Sequence, residues 1–475
     1  MAGRDHVVIF PLMTRSHTLP LLHFATALSV HHKGLRATVI TTPANLAFVR
    51  SRLPTSVDTV VLPFPSLPSL PAGLESKDGL PSMSLFPDFL RATALMREPF
   101  AEFLASLPSP PLVVISDFFL GFTHGVASDA GVRRMVYHGM SCFSTAISMT
   151  VRANPPAGAE DGALFHVPGM PEDVTIVAGD LPYDLSKMGD PENPMARFYI
   201  DEIGNSHVRS WGLLVNSFAA LDEDYVAPLE SLFQPGARAW LVGPLFLAAG
   251  DDMSELEEPD PQGCLPWLDE RMGQPGSVVY ASFGTHTRIP DGLLDEIAHG
   301  LVQSGLPFLW AIWSDTWTPP VDVGPNSRIV RGWVPQRSIM AHPAVGGCVS
   351  HCGWNSVIES LAAGKPVLAW PMMAEQMLNA RHIVSFVGNG IKMDVKPSAE
   401  MTTITGRMEV EEKVKKLMDA DSEVGKRMRS RATWAQQAIK LATSDKGTSR
   451  ITLQKLVEEL QTTYDIAISK GPKSE

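Results

Sequence analysis

The stretch Val349–Gln376, VSHCGWNSVIESLAAGKPVLAWPMMAEQ, decides how the chain is read. It leaves an apolar strand run (GGCVS), crosses the loop His351-Cys352-Gly353, and enters WNSVIESLAAG. That run reads as a helix from Trp354 to Ala363, ended by Gly364. KPVLAWP reads as the next strand, and Glu375 and Gln376 open another helix. A helix start carries unpaired N–H groups and a partial positive charge, so it suits a phosphate. Gly353 permits close backbone approach, and Asn355 and Ser356 could add side-chain donors. The same two residues would also serve as plain N-caps.

Working outward, three more loops sit at strand ends. ASFGTHT (281–287) puts Gly284 and Thr285 after a strand, as phosphate partners or as a tight turn. GWVPQ (332–336) offers Trp333 as a flat face for a base and Gln336 for its edge, unless Trp333 is core. Glu359 lies one helical turn after Ser356, where a carboxylate could accept from ribose hydroxyls or simply face water. Glu375 and Gln376 could hydrogen-bond a sugar. Base, ribose, diphosphate and sugar would each then have a partner. G-x-G-x-x-G and P-loop motifs are both missing, which weighs against a nicotinamide oxidoreductase and an NTPase.

The rest of the chain supplies the frame. HVVIF (6–10), RATVITT (36–42), PLVVISD (111–117), RRMVYHG (133–139), WGLLVNSF (211–218) and RAWLVGPL (238–245) are apolar runs that suit buried parallel strands. After HVVIF comes MTRSHT, read as a short polar loop, and then a helix. Residues 60–90 and 153–195 read as long loops. The acidic, Pro-containing stretch 246–262 reads as a linker. Beyond it βα alternation restarts, and 409–467 is charged and helical. Two such halves imply an α/β protein with two doubly wound, Rossmann-like domains facing across a cleft. The expected division is 1–245, the linker 246–262, 263–455, and a tail 456–475 returning to the first domain.

The 475 residues carry a net charge of −12 with no dense basic stripe, which argues against nucleic-acid or anionic-membrane partners. No apolar run approaches the ~18 residues of a membrane span, and the N-terminus lacks signal-peptide features. The four cysteines have neither disulfide-framework nor zinc spacing. These features lead to the expectation of a cytoplasmic protein without a metal.

Residues 333–376, from WVPQRSIMAHPAVGGCVSHCGWNS to AEQ, resemble the sugar-nucleotide box of plant family 1 UDP-glycosyltransferases along its full length. VYASFGT, VNSF, VGPL and WLDE extend the resemblance over nearly the whole chain. It implies a GT-B fold with the donor in the C-terminal half and the acceptor in the N-terminal half. Trp333 would stack on uracil, with Val334 beside it and Gln336 facing the uridine. Glu359 would hold the ribose. His351, Gly353, Asn355 and Ser356 would bind the diphosphate, with Thr285 where the family more often has Ser. Trp354, Glu375 and Gln376 would hold the sugar, and Gln376 closing the box resembles glucose users. The co-substrate implied is UDP-glucose, with no other cofactor and a monomer expected.

The acceptor hydroxyl needs a base. His17 follows the first strand, where a helix N-terminus disfavours a second positive charge. Asp117 also ends a strand and could orient it, and both match the family's His–Asp pair. Arg15 and Ser16 depart from the residues usual before that His. An apolar acceptor pocket is expected from Phe86, Phe89, Phe118, Phe119, Met140, Ser141 and Phe143, each of which could instead be core. The function that follows is inverting transfer of glucose to a hydroxyl of a phenolic or flavonoid-like small molecule. C- or N-glucosylation, and a UDP-sugar-binding protein without catalysis, are the alternatives.

Overall fold

The computed structural model describes residues 5–153, 164–181, 203–250, 259–285, 289–314, 316–394 and 405–469. The chain forms two compact units. One takes Met1–Ala146, Lys187–Glu255 and Ala442–Glu475, and the other Ile147–Ser186 and Leu256–Leu441. Residues 251–258 of the expected linker lie outside the described residues, as do 154–163 and 182–195 of the expected long loop.

The first unit is built on seven parallel strands. They are β1 (His6–Phe10), β2 (Arg36–Thr41), β3 (Asp58–Val61), β4 (Val113–Asp117), β5 (Arg134–Tyr137), then β8 (Gly212–Val215) and β9 (Arg238–Leu241). Their spatial order is β3-β2-β1-β4-β5-β8-β9. Every residue of β1 is buried because both faces are covered. Val7 and Ile9 point into one core with Leu21, Leu22, Phe24 and Leu28 of the helix Arg15–His31. The same core receives Leu453, Leu456, Val457 and Leu460 of the C-terminal helix Thr448–Ser469. Val8 and Phe10 point the other way, to Phe89, Phe100 and Phe122. This period-2 alternation is what a two-faced strand requires.

The second unit holds six parallel strands. They are β10 (Val278–Ser282), β11 (Phe308–Ile312), β12 (Arg328–Arg331), β13 (Val345–Ser350), β14 (Val367–Ala369) and β15 (Gly390–Lys392). Their order is β12-β11-β10-β13-β14-β15. A small antiparallel pair, β6 (Leu164–His166) and β7 (Thr175–Val177), belongs to this unit.

Each large sheet reverses its winding once. The chain runs from β1 out to β3 and returns beside β1 as β4. In the other unit it runs from β10 out to β12 and returns beside β10 as β13. Ligands of open α/β sheets bind beyond the carboxyl ends of the strands at such switch points. Phe10 pairs with Ser116 at one and Ser282 with Ser350 at the other.

Two readings from sequence are corrected. MTRSHT is not a free loop, since the helix already begins at Arg15. Residues 76–78 fix that start by lacing onto it: Lys77 N–H and Ser76 Oγ donate to the Met13 carbonyl (2.9 and 3.1 Å). The stretch 60–90 is also more ordered than a loop. It holds short turns at Lys77–Gly79 and Met83–Leu85 and enters the helix Phe86–Ala94.

Candidate active site

At the switch point of the first sheet stand His17, in the first turn of its helix, and Asp117, the last residue of β4. His17 Nδ1 lies 2.7 Å from Asp117 Oδ2. The carboxylate is completely buried, whereas the imidazole keeps 20% of its side-chain surface exposed. A carboxylate only accepts, so Nδ1 carries a proton, and in the neutral ring Nε2 is then the nitrogen with the lone pair. Asp117 Oδ1 accepts from the Phe119 N–H (3.0 Å), which fixes the carboxylate from its other side. The buried Arg134 guanidinium donates to the Asp117 carbonyl (3.2 Å) and to Ser116 Oγ (2.9 Å). Burial lowers the Arg134 pKa to about 9 even with the Asp117 charge nearby. Sequence reading missed Arg134. The available signal was a charged residue at the head of an otherwise apolar strand.

Aromatic rings surround His17. Phe118 stacks at 6.2 Å between centroids and Phe119 lies at 5.8 Å, itself edge-on to Phe86 at 5.2 Å. Met140 is half-buried. Phe89, Ser141 and Phe143 have no exposed surface, so they are corrected from pocket lining to core. Phe89 packs on Phe64 and Phe143 on Tyr225, while Ser141 Oγ accepts from Ser144 N–H at a helix start. Of the departing residues, Arg15 donates its N–H to Asp78 Oδ2 (3.0 Å), and Thr14 Oγ1 donates to Asp78 Oδ1 (2.5 Å). Arg15, Asn45, Phe48, Ser76 and Asp78 line a cavity there.

In the second unit, β13 ends at Ser350 and, after a three-residue turn, the helix Trp354–Ala362 begins. Its N-cap is Gly353, which has no side chain, so Asn355 and Ser356 lie within the first turn instead of capping it. The intervening turn is strained. Cys352 sits at φ 63°, and Ala374, just before Glu375, at φ 52°. Among the described residues these are the only two non-glycine positions with positive φ, each costing on the order of 1–3 kcal/mol. Both fall in the two loops singled out for a sugar nucleotide. Asn379 Nδ2 holds the first by donating to the Cys352 carbonyl (2.9 Å). Gln376 holds the second: its Oε1 accepts from the N–H groups of Met372 and Met373, both at 2.9 Å.

The imidazole of His351 fills the space between this turn and the end of β10. A Cβ on Gly284 would come within 2.6 Å of His351 Nε2, and one on Gly353 within 2.5 Å. Burial lowers the pKa of His351 to about 4, so the ring is neutral at neutral pH. Thr285 is half-exposed beside Gly284. Trp333 is half-exposed and Val334 is buried. The Trp354 indole is buried and parallel to His382, which leaves its backbone N–H as the group at the helix start. Glu375 is half-buried.

Gln336, expected beside the base, has partners within the protein. Its Nε2 donates to Glu359 Oε2 (2.8 Å) and Ser356 Oγ (3.0 Å), and its Oε1 accepts from Tyr280 O–H (3.1 Å). Both amide hydrogens are thus engaged within the protein, while Oε1 accepts one bond of the two it can take. Tyr280, 56 residues away in sequence, was not foreseen.

Comparison with known proteins places this geometry. Residues 249–432 match the family model "UDP-glucoronosyl and UDP-glucosyl transferase". The chain is 35% identical to UDP-glycosyltransferase 90A1 of Arabidopsis thaliana, over 96% of each protein. The chain belongs to the plant family 1 UDP-glycosyltransferases. This UDP-glycosyltransferase is also 31% identical to the scopoletin glucosyltransferase of Nicotiana tabacum, over 97% of this chain and 98% of that one. Its structure matches Glycyrrhiza uralensis UGT73P12, solved with glycyrrhetinic acid 3-O-monoglucuronide. The TM-score is 0.85 and the identity 28%, with 98% of both chains covered. The fold is therefore GT-B, and the enzyme is a glycosyltransferase that uses a UDP-sugar. No helix among the described residues is long and apolar enough to cross a membrane.

Proposed function

We propose that this UDP-glycosyltransferase transfers glucose, with inversion, from UDP-glucose to a hydroxyl of an apolar, phenolic plant small molecule. The observation that carries the catalytic part is the His17–Asp117 pair at 2.7 Å, with the imidazole partly exposed and the carboxylate buried. His17 Nε2 takes the acceptor proton as the acceptor oxygen bonds to the anomeric carbon. The bond from that carbon to the diphosphate oxygen breaks, and its electron pair leaves with UDP. Asp117 steadies the imidazolium that forms. The helix start at Trp354, with Asn355, Ser356 and Thr285, takes the diphosphate charge. Trp333 stacks on the uracil, Glu359 holds the ribose, and Glu375 and Gln376 hold the sugar.

The phenolic acceptor class rests on Phe86, Phe118 and Phe119 around His17, which suit a flat apolar molecule. The named activity of the tobacco relative points the same way. The test incubates purified protein with UDP-glucose and a pooled panel of plant phenols, flavonoids, terpenoids and hormones, read by mass spectrometry. A product heavier by one hexose, labile to acid as an O-glucoside is, is expected. His17→Ala should abolish it, and normal turnover by that variant would sink the assignment of the base.

A further inference from the structure

We propose that Tyr280 is a positioning residue for nucleotide recognition: its phenol supplies the buried donor that Gln336 needs in the one amide orientation that holds Glu359 and Ser356 ready for the ligand. The inference rests on the reading of Glu359 as the ribose partner. Tyr280 belongs to β10 and is 1% exposed, packed among Leu268, Leu309, Val334 and Ile339. Its hydroxyl donates to Gln336 Oε1 at 3.1 Å and also has the Ser282 side chain as a hydrogen-bond partner.

Each link of the chain has one allowed direction. The Glu359 carboxylate only accepts, so the Gln336 NH2 group faces it, at 2.8 Å. That leaves Oε1 turned towards the buried strand, where it needs a donor. The Tyr280 O–H is that donor. Burial first, then Cys348 and Glu359, raise the phenol's pKa well above its ordinary value against the opposing hydrogen bond from Ser282, so the proton stays in place. The opposite amide orientation would set Oε1 against a carboxylate, two acceptors facing each other. Ser356 Oγ accepts from the same NH2 group at 3.0 Å, so its own hydrogen is left to donate outward. Tyr280 thereby acts on the nucleotide without touching it, and a phenylalanine of nearly the same shape would remove that action alone.

The experiment is calorimetric titration of the full chain with UDP and with its 2′-deoxy and 3′-deoxy forms. Tyr280→Phe should weaken UDP roughly 3- to 10-fold, as the loss of one buried neutral hydrogen bond does. It should weaken the deoxy forms less, narrowing the ratio between them. KM for UDP-glucose should rise while kcat stays within about 2-fold, since the base is untouched. On a Gln336→Leu background the same change should add less than about 2-fold, because its partner is already gone. Glu359→Gln is the control for the underlying reading, and it should collapse the ratio. If it does so while Tyr280→Phe weakens UDP and deoxy forms equally, the phenol is merely structural and the proposal falls alone. If Glu359→Gln leaves the ratio intact, the ribose assignment and the proposal fall together. Should Tyr280→Phe not fold, Gln336→Leu reads the same ratio, and an unchanged ratio there also overturns the proposal.

Discussion

Asp117→Asn tests the His–Asp pair with little change of shape. The carboxylate has two clients: Oδ2 serves His17 Nδ1 at 2.7 Å, and Oδ1 serves the Phe119 N–H at 3.0 Å. Both need an acceptor, and asparagine has one oxygen. The backbone N–H is a permanent donor, whereas the imidazole can move its proton to Nε2. The amide oxygen should therefore stay with Phe119 and its NH2 turn to His17. Nδ1 then becomes an acceptor, and Nε2, now protonated, can no longer take a proton. A mis-set tautomer of this kind costs up to about 10⁴ in kcat. Had the oxygen gone to His17 instead, only the ionic part of the bond would be lost, about 1–2 kcal/mol, or roughly 5- to 30-fold. The first arrangement predicts a fall of about 10² to 10⁴. Arg134 bonds the Asp117 backbone carbonyl, which the substitution leaves in place. Melting temperature and KM for UDP-glucose should accordingly change little. The assay is initial-rate UDP release with a saturating acceptor. A kcat within threefold of the parent enzyme would refute the argument.

Two further outcomes are expected. Gly353→Ala isolates steric pressure on His351, because the Gly353 φ of −57° suits alanine while the new Cβ would meet Nε2 at 2.5 Å. UDP affinity should fall and stability drop by about 1–3 kcal/mol, measured by calorimetry and chemical denaturation. Gly284→Ala adds backbone strain at φ 74° and should be worse. The third concerns acid. Burial holds His6 neutral, with its pKa lowered from 6.5 to about 4, its Nε2 2.8 Å from Thr38 Oγ1. The unfolded chain binds this proton first, so stability is full above about pH 6.5 and is lost as pH falls towards 4. For His6 the gap corresponds to at most about 3 kcal/mol. His6→Gln should flatten the denaturation profile over that window, and an unchanged slope would show that other groups carry it.

What could be read from sequence was what neighbouring residues decide. HVVIF and VVYAS are buried on both faces, so their apolar runs are nearly continuous and their strands plain. The loop from His351 to Gly353 was legible because strand, glycine and helix follow one another directly. What escaped depends on partners far along the chain. Asp78 sits more than 60 residues from the helix start it secures at Thr14 and Arg15. The partner of the Gln336 amide went unseen because nothing nearby in sequence announces Tyr280. Phe89 and Phe143 look like pocket residues in a list of aromatics and become core only when Phe64 and Tyr225 pack against them. The strain at Cys352 and Ala374 has no signature in residue type at all, since cysteine and alanine rarely take positive φ.

The last long helix, Thr448–Ser469, has a consequence for how the protein is made. Its leucines and Val457 complete the core beside β1, a strand begun more than 440 residues earlier. At ~5–20 residues per second, a ribosome needs tens of seconds to span that gap. Throughout synthesis the nascent first sheet must wait with one flank of its core unfilled. The second unit's sheet strands and packing helices all lie before Ala442, so they can finish first. The half of the enzyme synthesised first is thus the half completed last. A premature stop codon anywhere before the final helix would leave its apolar flank open to chaperones and proteases.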